Sequence, residues 1–549
     1  MLKHLFSYYN DIFPRMWEQP ALSDYQGDIS YTYQELAQQL FNIKLMFAQL
    51  GIKEGDKIAL CGRNCANWAV AYLAIAVSQN VIVSILQDFN AKDIIHLVNH
   101  SDAKALFVGP YVWKNIAGKQ EYTPEQIAEI ANRLTPNLKA IISLKDFSLI
   151  YSENPIEKIS AEPVKPETFH LKDDNLDDLM LINYTSGSTG APKGVMLTYR
   201  SLSGNIFSGM KYLPPRAGDQ LVSMLPLAHA FGQLAEFLFP LAAGVHIHFL
   251  AKTPTPTLLM KAFAEIKPYM IVTVPLVIEK ICNKSIFPIT NKSTFRLLWK
   301  APLGIGRIIK HIVKNKLLKA FGGNLRYFIV GGAAVNPEVE KLLLDIHFPF
   351  IVGYGMTECG PLIGGCYLNE FEYRSCGHQL PYNEVKIDSE DPENIVGEIL
   401  VKGDHVMKGY YKNEEATKAA FTDDGWLRTG DLGLIDKKGN IFIKGRNKNM
   451  ILGASGQNIY PEEIEDKLNN MTGVAESVIV EREGKLVALV FPELKGELTF
   501  SQPILDQMKE NLQKLNAILP KYSQIFKIEL QDQEFEKTPK KSIKRFLYK

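Results

Sequence analysis

Cysteine is scarce in this 549-residue chain: six residues, Cys61, Cys65, Cys282, Cys359, Cys366 and Cys376, with no CxxC spacing and no histidine cluster beside them. That pattern argues against a disulfide framework or a zinc site and leads us to expect a reducing, cytoplasmic setting. An excess of either charge is missing as well. Lys and Arg total 61 against 60 Asp and Glu, a net charge of +1, which leaves no cationic surplus to hold nucleic-acid phosphates. The longest hydrophobic run, 68–77, is ten residues and stops at Ser78-Gln79-Asn80, whereas a bilayer span needs about 20. We expect a buried helix there, followed by a strand over 81–86. Asp11, Arg15 and Glu18 interrupt the apolar residues of the first twenty positions, so no secretion signal is expected.

What is present is the composition of an ordinary globular protein, 46% hydrophobic and 22% charged. At about 150 residues per domain the length suggests roughly two to four domains. Helix and strand patterns alternate from 32 to 110: 31–51 has the spacing of an amphipathic helix stopped by Gly51, and GDKIALCG reads as a strand. The alternation resumes after 260, with a strand over 324–332 and a helix over 337–346. The implied class is α/β, with doubly wound subdomains in a large N-terminal domain, 1–445. Between about 376 and 444 the short segments NEVKID, GEILVKG, GWLRTGD and LGLIDKKGNIFIKG read as strands separated by turns, a β-rich subdomain. A smaller α+β domain is expected over 446–549. One stretch breaks the charge balance: 280–337 holds eleven Lys and Arg and no Asp or Glu. Within it, 307–321 reads as a basic amphipathic helix, either a solvated face over the core or a patch that meets anionic lipid or an anionic substrate.

The densest chemistry lies in YTSGSTGAPKGV, 184–195, where three glycines, hydroxyl side chains and one lysine follow the strand-like LMLINY. Backbone N–H groups and hydroxyls in such a loop can surround phosphate oxygens. It is not a Walker loop, which has Gly before its Lys and Ser or Thr after it; here Pro192 precedes Lys193, Gly194 follows, and VMLTY reads as another strand. A plain flexible hairpin would need neither the lysine nor the hydroxyls.

Further segments follow in order: LPLAHAFG (225–232), GGNLRYFIVGGAAV (322–335), GYGMTE (353–358), TGDLG (429–433), KGRNKNMI (444–451), SGQNIYPEEIE (455–465) and KTPKKSIKR (537–545). Together with the loop they make the chain resemble the adenylate-forming superfamily of acyl-CoA synthetases, firefly luciferase and nonribosomal-peptide adenylation domains, and within it the long-chain fatty acid–CoA ligases. The resemblance runs from about residue 15 to the C-terminus. It implies an N-terminal AMP-binding domain, a mobile C-terminal domain, ATP, coenzyme A and a fatty acid as substrates, and Mg²⁺ as cofactor.

The resemblance also implies site roles. Thr185 and Glu358 flank Mg²⁺, and Thr357 meets the phosphates along with Ser186, Gly187, Ser188, Thr189, Gly190 and Lys193. Tyr354, between Gly353 and Gly355, is expected to stack on adenine while Gly331, Gly332 and Ala333 let the purine approach the backbone. Asp431 is expected to accept the ribose hydroxyls, with Arg446 donating to the same sugar. His229, Phe231 and Gly232 fall at the acyl pocket, Lys448 at a hinge, and Gly453, Ser455 and Gly456 in a loop that approaches pantetheine. The family's C-terminal lysine position holds Ser542 in this chain, and Lys541, its neighbour, is expected to bridge the fatty carboxylate and the α-phosphate, with Lys540 as the alternative.

The chemistry accounts for the charges. A carboxylate has oxide as its leaving group and must become a mixed anhydride before a thiol can displace it. Both reactants of that first step are anionic, so cations and donors must offset their repulsion. Transfer to a carrier-protein phosphopantetheine and a catalytically degenerate acyl-adenylate binder stand as alternatives; nothing announces oxygen chemistry.

Overall fold

The first long helix is set by residues at its own ends. Thr32 accepts from the Glu35 backbone N–H while the Glu35 carboxylate accepts from the Thr32 N–H at 2.8 Å, a reciprocal cap that starts Tyr33–Gln49. Gly51, at φ 65°, follows its end in the left-handed conformation that glycine adopts without cost. The computed structural model describes residues 2–118, 122–157, 159–185, 192–252, 254–290, 295, 299, 301, 305–332, 334–452, 458–493, 501–538 and 543–548.

The apolar run lies in Ala66–Val77, where every residue is buried, as a helix apolar on all sides must be. It crosses between Lys57–Cys61 and Val81–Ile85, which pair in parallel with Ile58 opposite Ile82. No helix among the described residues is long and apolar enough to cross a membrane.

Two large sheets carry the N-terminal part. One orders eight strands as Gly409–Tyr410, Lys193–Thr198, Leu179–Thr185, Val81–Ile85, Lys57–Cys61, Ala105–Val108, Ala140–Ser143 and Leu149–Ser152. Its middle is parallel and its edges antiparallel. The other orders seven as Phe350–Val352, Tyr327–Val330, Met270–Thr273, Gln220–Ser223, His246–Phe249, Pro20–Asp24 and Ser30–Thr32, parallel except for the last pair. Their side chains merge into one hydrophobic cluster between residues 5 and 441.

The β-rich part differs from expectation in two respects. A small sheet of Tyr354–Gly355, Leu362–Gly365 and His378–Gln379 begins ahead of 376. GWLRTGD and LGLI are not separate strands: Leu427–Ile435 runs through both as the third member of an antiparallel sheet with Asn383–Asp388, Gly397–Gly403 and Ile441–Arg446. Gly430 at φ 71° and register shifts near Glu398/Leu400 and Leu432/Gly433 let the strand absorb irregularities without leaving the sheet.

A smaller α+β domain follows. Val474–Arg482 pairs antiparallel with Lys485–Pro492, which pairs in parallel with Lys527–Leu530. Helices Pro461–Asn469 and Gln502–Ile518 pack beside them around a core of their own. Arg374 joins this domain to the larger one: its guanidinium reaches Glu340 at 3.2 Å and Asp466 of the helix Pro461–Asn469 at 3.3 Å. The basic segment forms the helix Ile305–Ala320, which buries Gly306 and Leu317 but leaves Ile308 61% and Ile312 59% exposed.

Candidate active site

The phosphate-type loop is flanked by two paired strands. Leu179–Thr185 and Lys193–Thr198 pair antiparallel, with Thr185 opposite Lys193 and Tyr184 opposite Gly194. Ser186, Gly187, Ser188, Thr189 and Gly190 lie outside the described residues. A side chain on Gly194 would meet Ile182 at 2.9 Å and the Tyr184 ring at 3.1 Å, so this position keeps the hairpin closely packed. Gly409–Tyr410 adds to the outer edge of Lys193–Thr198, pairing Tyr410 with Val195. That edge contact brings in a group the sequence did not single out. The Lys193 ammonium sits 4.8 Å from the Tyr410 ring centroid, and the Tyr410 hydroxyl donates to Glu358 Oε1 at 2.9 Å. Burial and the Glu358 charge push the Tyr410 hydroxyl far above its ordinary pKa, so it remains a donor.

Glu358 stands in the turn Thr357–Cys359, held from behind by Asn205, whose side chain donates to Cys359 O at 3.0 Å and accepts from Leu362 N at 2.8 Å. The Thr185 hydroxyl and the Glu358 carboxylate are hard oxygen donors. Such a donor set fits a Mg²⁺ that arrives with phosphate oxygens and waters.

Asp431 is buried beneath two donors: Arg446 Nε lies 2.7 Å from Oδ1, and the Tyr354 hydroxyl donates to Oδ2 at 2.9 Å. The strands Leu427–Ile435 and Ile441–Arg446 set that geometry by pairing Asp431 with Arg446. Burial raises the Asp431 carboxyl, with Arg446 and Tyr354 opposing the shift. Tyr354 itself is 5% exposed, so its side chain supports Asp431, while Gly355 and Met356 of the same segment face the open space. Lys448 is exposed in the turn Asn447–Asn449; desolvation first, then the neighbouring Arg446 charge, lowers its pKa.

Thr185, Lys193, Thr357, Glu358, Arg446 and Lys448 share one cavity of about 3060 Å³. Gly331, Gly332, His229, Phe231 and Gly232 line it too; Gly353, Tyr354 and Asp431 do not appear on its wall. The Phe231 ring rests on Gly331, where an added Cβ would come within 2.9 Å of it. His229 caps the short helix Ala230–Gln233, its Nδ1 accepting from the Phe231 N–H at 3.3 Å. The apolar side chains Leu225, Ile281, Ile312 and Leu317 also line it. The C-terminal domain closes one side through Thr538, Ile543, Lys544 and Arg545. Lys541, Lys540 and Ser542 fall between these and, like Ala333, Gly453, Ser455 and Gly456, lie outside the described residues. Lys544 pairs with Glu536 at 3.1 Å, and Arg545 pairs with Glu465.

A family model described as AMP-binding enzyme matches residues 14–411, and one described as AMP-binding enzyme C-terminal domain matches 448–548. The chain is 28% identical over 475 residues to long-chain-fatty-acid–CoA ligase FadD15 of Mycobacterium bovis, covering 82% of this chain and 75% of that one. It is 27% identical over 556 residues to the chloroplastic long-chain-fatty-acid–[acyl-carrier-protein] ligase AEE15 of Arabidopsis thaliana, covering 89% and 75%. The fold is shared with O-succinylbenzoate coenzyme A synthetase (MenE) of Bacillus subtilis, solved with ATP and magnesium ion, at a TM-score of 0.73 and 21% identity over 98% of each chain.

Proposed function

Because this chain belongs to the AMP-binding enzyme family, we propose that it is an ATP-dependent, AMP-forming ligase that activates a medium- or long-chain fatty acid and transfers it to coenzyme A. The observation that carries this reading is convergence on one cavity: a lysine and a carboxylate joined through Tyr410, Arg446 paired with the buried Asp431 behind it, apolar lining side chains, and residues of the C-terminal domain. In the first step a carboxylate oxygen attacks the α-phosphorus, the bond to the bridging oxygen of pyrophosphate breaks, and acyl-AMP forms. In the second, the coenzyme A thiolate attacks the acyl carbonyl and AMP leaves. Lys193 and the hairpin hydroxyls meet the β- and γ-phosphates, Asp431 and Arg446 hold the ribose, and Lys541 bridges carboxylate and α-phosphate. Thr185 and Glu358 would hold a Mg²⁺ arriving with the nucleotide, which would supply charge neutralisation for the displacement. Rotation at Lys448 then withdraws the C-terminal lysine and admits the thiol along Gly453, Ser455 and Gly456.

The deciding measurement is pyrophosphate release across acids from acetate to oleate, each with and without coenzyme A. Dodecanoate to oleate should far exceed acetate, since each buried methylene contributes about 0.8 kcal/mol. Equal rates on acetate and palmitate would remove the long-chain assignment, and thioester formation only on a carrier protein would favour the alternative acceptor, which the likeness to AEE15 keeps open. Absence of adenylation with every acid would favour the degenerate binder. Glu358→Ala and Thr185→Ala should depress adenylation while leaving the melting temperature intact; unchanged rates at limiting Mg²⁺ would remove both from the metal site. The helix Ile305–Ala320, with Ile308 and Ile312 exposed among lysines, supports peripheral contact with anionic lipid, tested by salt-sensitive binding to anionic vesicles.

A further inference from the structure

The loop that follows strand Gln220–Ser223 forms one wall of the cavity through Met224, Leu225, Pro226, Ala228 and His229. It has no secondary structure of its own over most of this length, so side chains elsewhere must satisfy and fix its backbone. Glu236 takes the largest share. Fully buried in the π-helical turn Leu234–Leu238, it directs a single oxygen, Oε2, at three donors: the Ser223 hydroxyl at 3.1 Å and the backbone N–H groups of Met224 at 2.9 Å and Leu225 at 2.8 Å. From another direction Asn64 grips the same loop, donating to Leu225 O at 2.6 Å and accepting from Leu227 N at 2.9 Å. Asn183 donates to Ala228 O at 3.2 Å.

The placement is costly. A fully buried carboxylate without a cationic partner is among the least favourable groups a core can hold, and burial pushes the Glu236 carboxyl well above its ordinary range. Its second oxygen, Oε1, and the side-chain nitrogen of buried Gln233, one helical turn earlier, have no hydrogen-bond partner among the described residues. The turn is π-helical, a widened form found mostly as single insertions and often at functional sites. Packing alone would be served better by an apolar side chain. The feature that uses the carboxyl is the pair of consecutive N–H groups at Met224 and Leu225, for which it is the acceptor.

We propose that Glu236 is a positioning residue for the acyl site: by holding Met224 and Leu225 it fixes the wall against which the fatty chain lies, and thereby sets the enzyme's discrimination among chain lengths. The assignment rests on the fatty-acid ligase reading above. A small displacement of a wall that excludes water and packs on methylenes changes how much apolar surface each acid buries, whereas the nucleotide contacts at Asp431, Arg446 and Lys193 lie on other elements.

The test compares Glu236→Gln and Glu236→Leu in the full-length enzyme by pyrophosphate release with octanoate, dodecanoate and palmitate, alongside melting temperature. The amide oxygen of Gln can take the place of Oε2, so Glu236→Gln should keep the wild-type chain-length profile. Glu236→Leu should raise KM for palmitate about tenfold, compress the preference between palmitate and octanoate, and leave KM for ATP unchanged. A solely structural role would lower the melting temperature without altering the profile. Should Glu236→Leu fail to fold, Asn64→Ala releases the same loop from another direction and should shift the profile likewise. A folded Glu236→Leu or Asn64→Ala enzyme with unaltered chain-length preference, or with KM for ATP and acid rising together, overturns the proposal. A wild type that activates no acid defeats the ligase reading instead.

Discussion

Tyr410 connects groups that belong to different parts of the chain: its ring lies under Lys193 and its hydroxyl serves Glu358. A hydrogen bond to a charged group is worth about 1.5–3 kcal/mol, so Tyr410→Phe should free the carboxylate to turn away from the metal position. We expect kcat/KM for MgATP to fall about tenfold or more, with part of the loss recovered at high Mg²⁺; an unchanged Mg²⁺ dependence would separate Tyr410 from the metal. The residue was illegible in the sequence because GYY carries no chemistry on its face. It acquires a role only when Gly409–Tyr410 joins a sheet edge beside Val195, a pairing no local pattern encodes. Asp431, Arg446 and Glu358, by contrast, sit in short motifs whose order along the chain could be read directly.

Elements follow the same division. Tyr33–Gln49 was legible from its amphipathic spacing and Gly51, and the buried helix Ala66–Val77 from its unbroken apolar run, because periodicity and burial are written locally. The merging of GWLRTGD and LGLI into Leu427–Ile435 was not: a glycine in a turn and a glycine in a bulge look alike until the neighbouring strand is known. Strand His246–Phe249 gives a consequence of its own. His246 and His248 project from one face, their ring centroids 4.0 Å apart, with Ser23 and Gln220 on their outer nitrogens. Burial lowers His246 to about 4, and burial with the His246 charge lowers His248 to about 3. Both are neutral when folded and gain protons more readily when unfolded, near 6.5. Their stabilising contribution is therefore complete above about pH 6.5 and is lost as pH falls toward 3. The melting temperature should decline between pH 6.5 and 4, and His246→Gln/His248→Gln should flatten that decline; an identical slope in the double variant would assign the acid sensitivity elsewhere.

For the whole molecule, the α/β architecture with a smaller C-terminal domain could be read from alternating patterns, but the way the domains meet could not. Arg374, at φ 64°, donates to Val335 O and bridges buried Glu340 to Asp466, joining residues from distant parts of the chain. Asp466→Ala removes the C-terminal half of this bridge and leaves the Arg374–Glu340 pair in place. We expect fatty acid-dependent pyrophosphate release to slow several-fold while conversion of supplied acyl-AMP and coenzyme A to thioester is maintained. Equal slowing of both half-reactions would mean that the bridge supports the fold rather than one domain arrangement.

The hairpin that carries the phosphate-type loop places Thr185 and Lys193 opposite one another. Successive side chains of a strand alternate between faces, so a slip of one residue in that pairing sends a whole strand's side chains to the other side. Lys193 would then turn away from Tyr410 and, through it, from Glu358. An insertion or deletion in 193–198 that shifts this register thus exchanges inside for outside and costs the lysine its orientation even though every residue of the motif is still present.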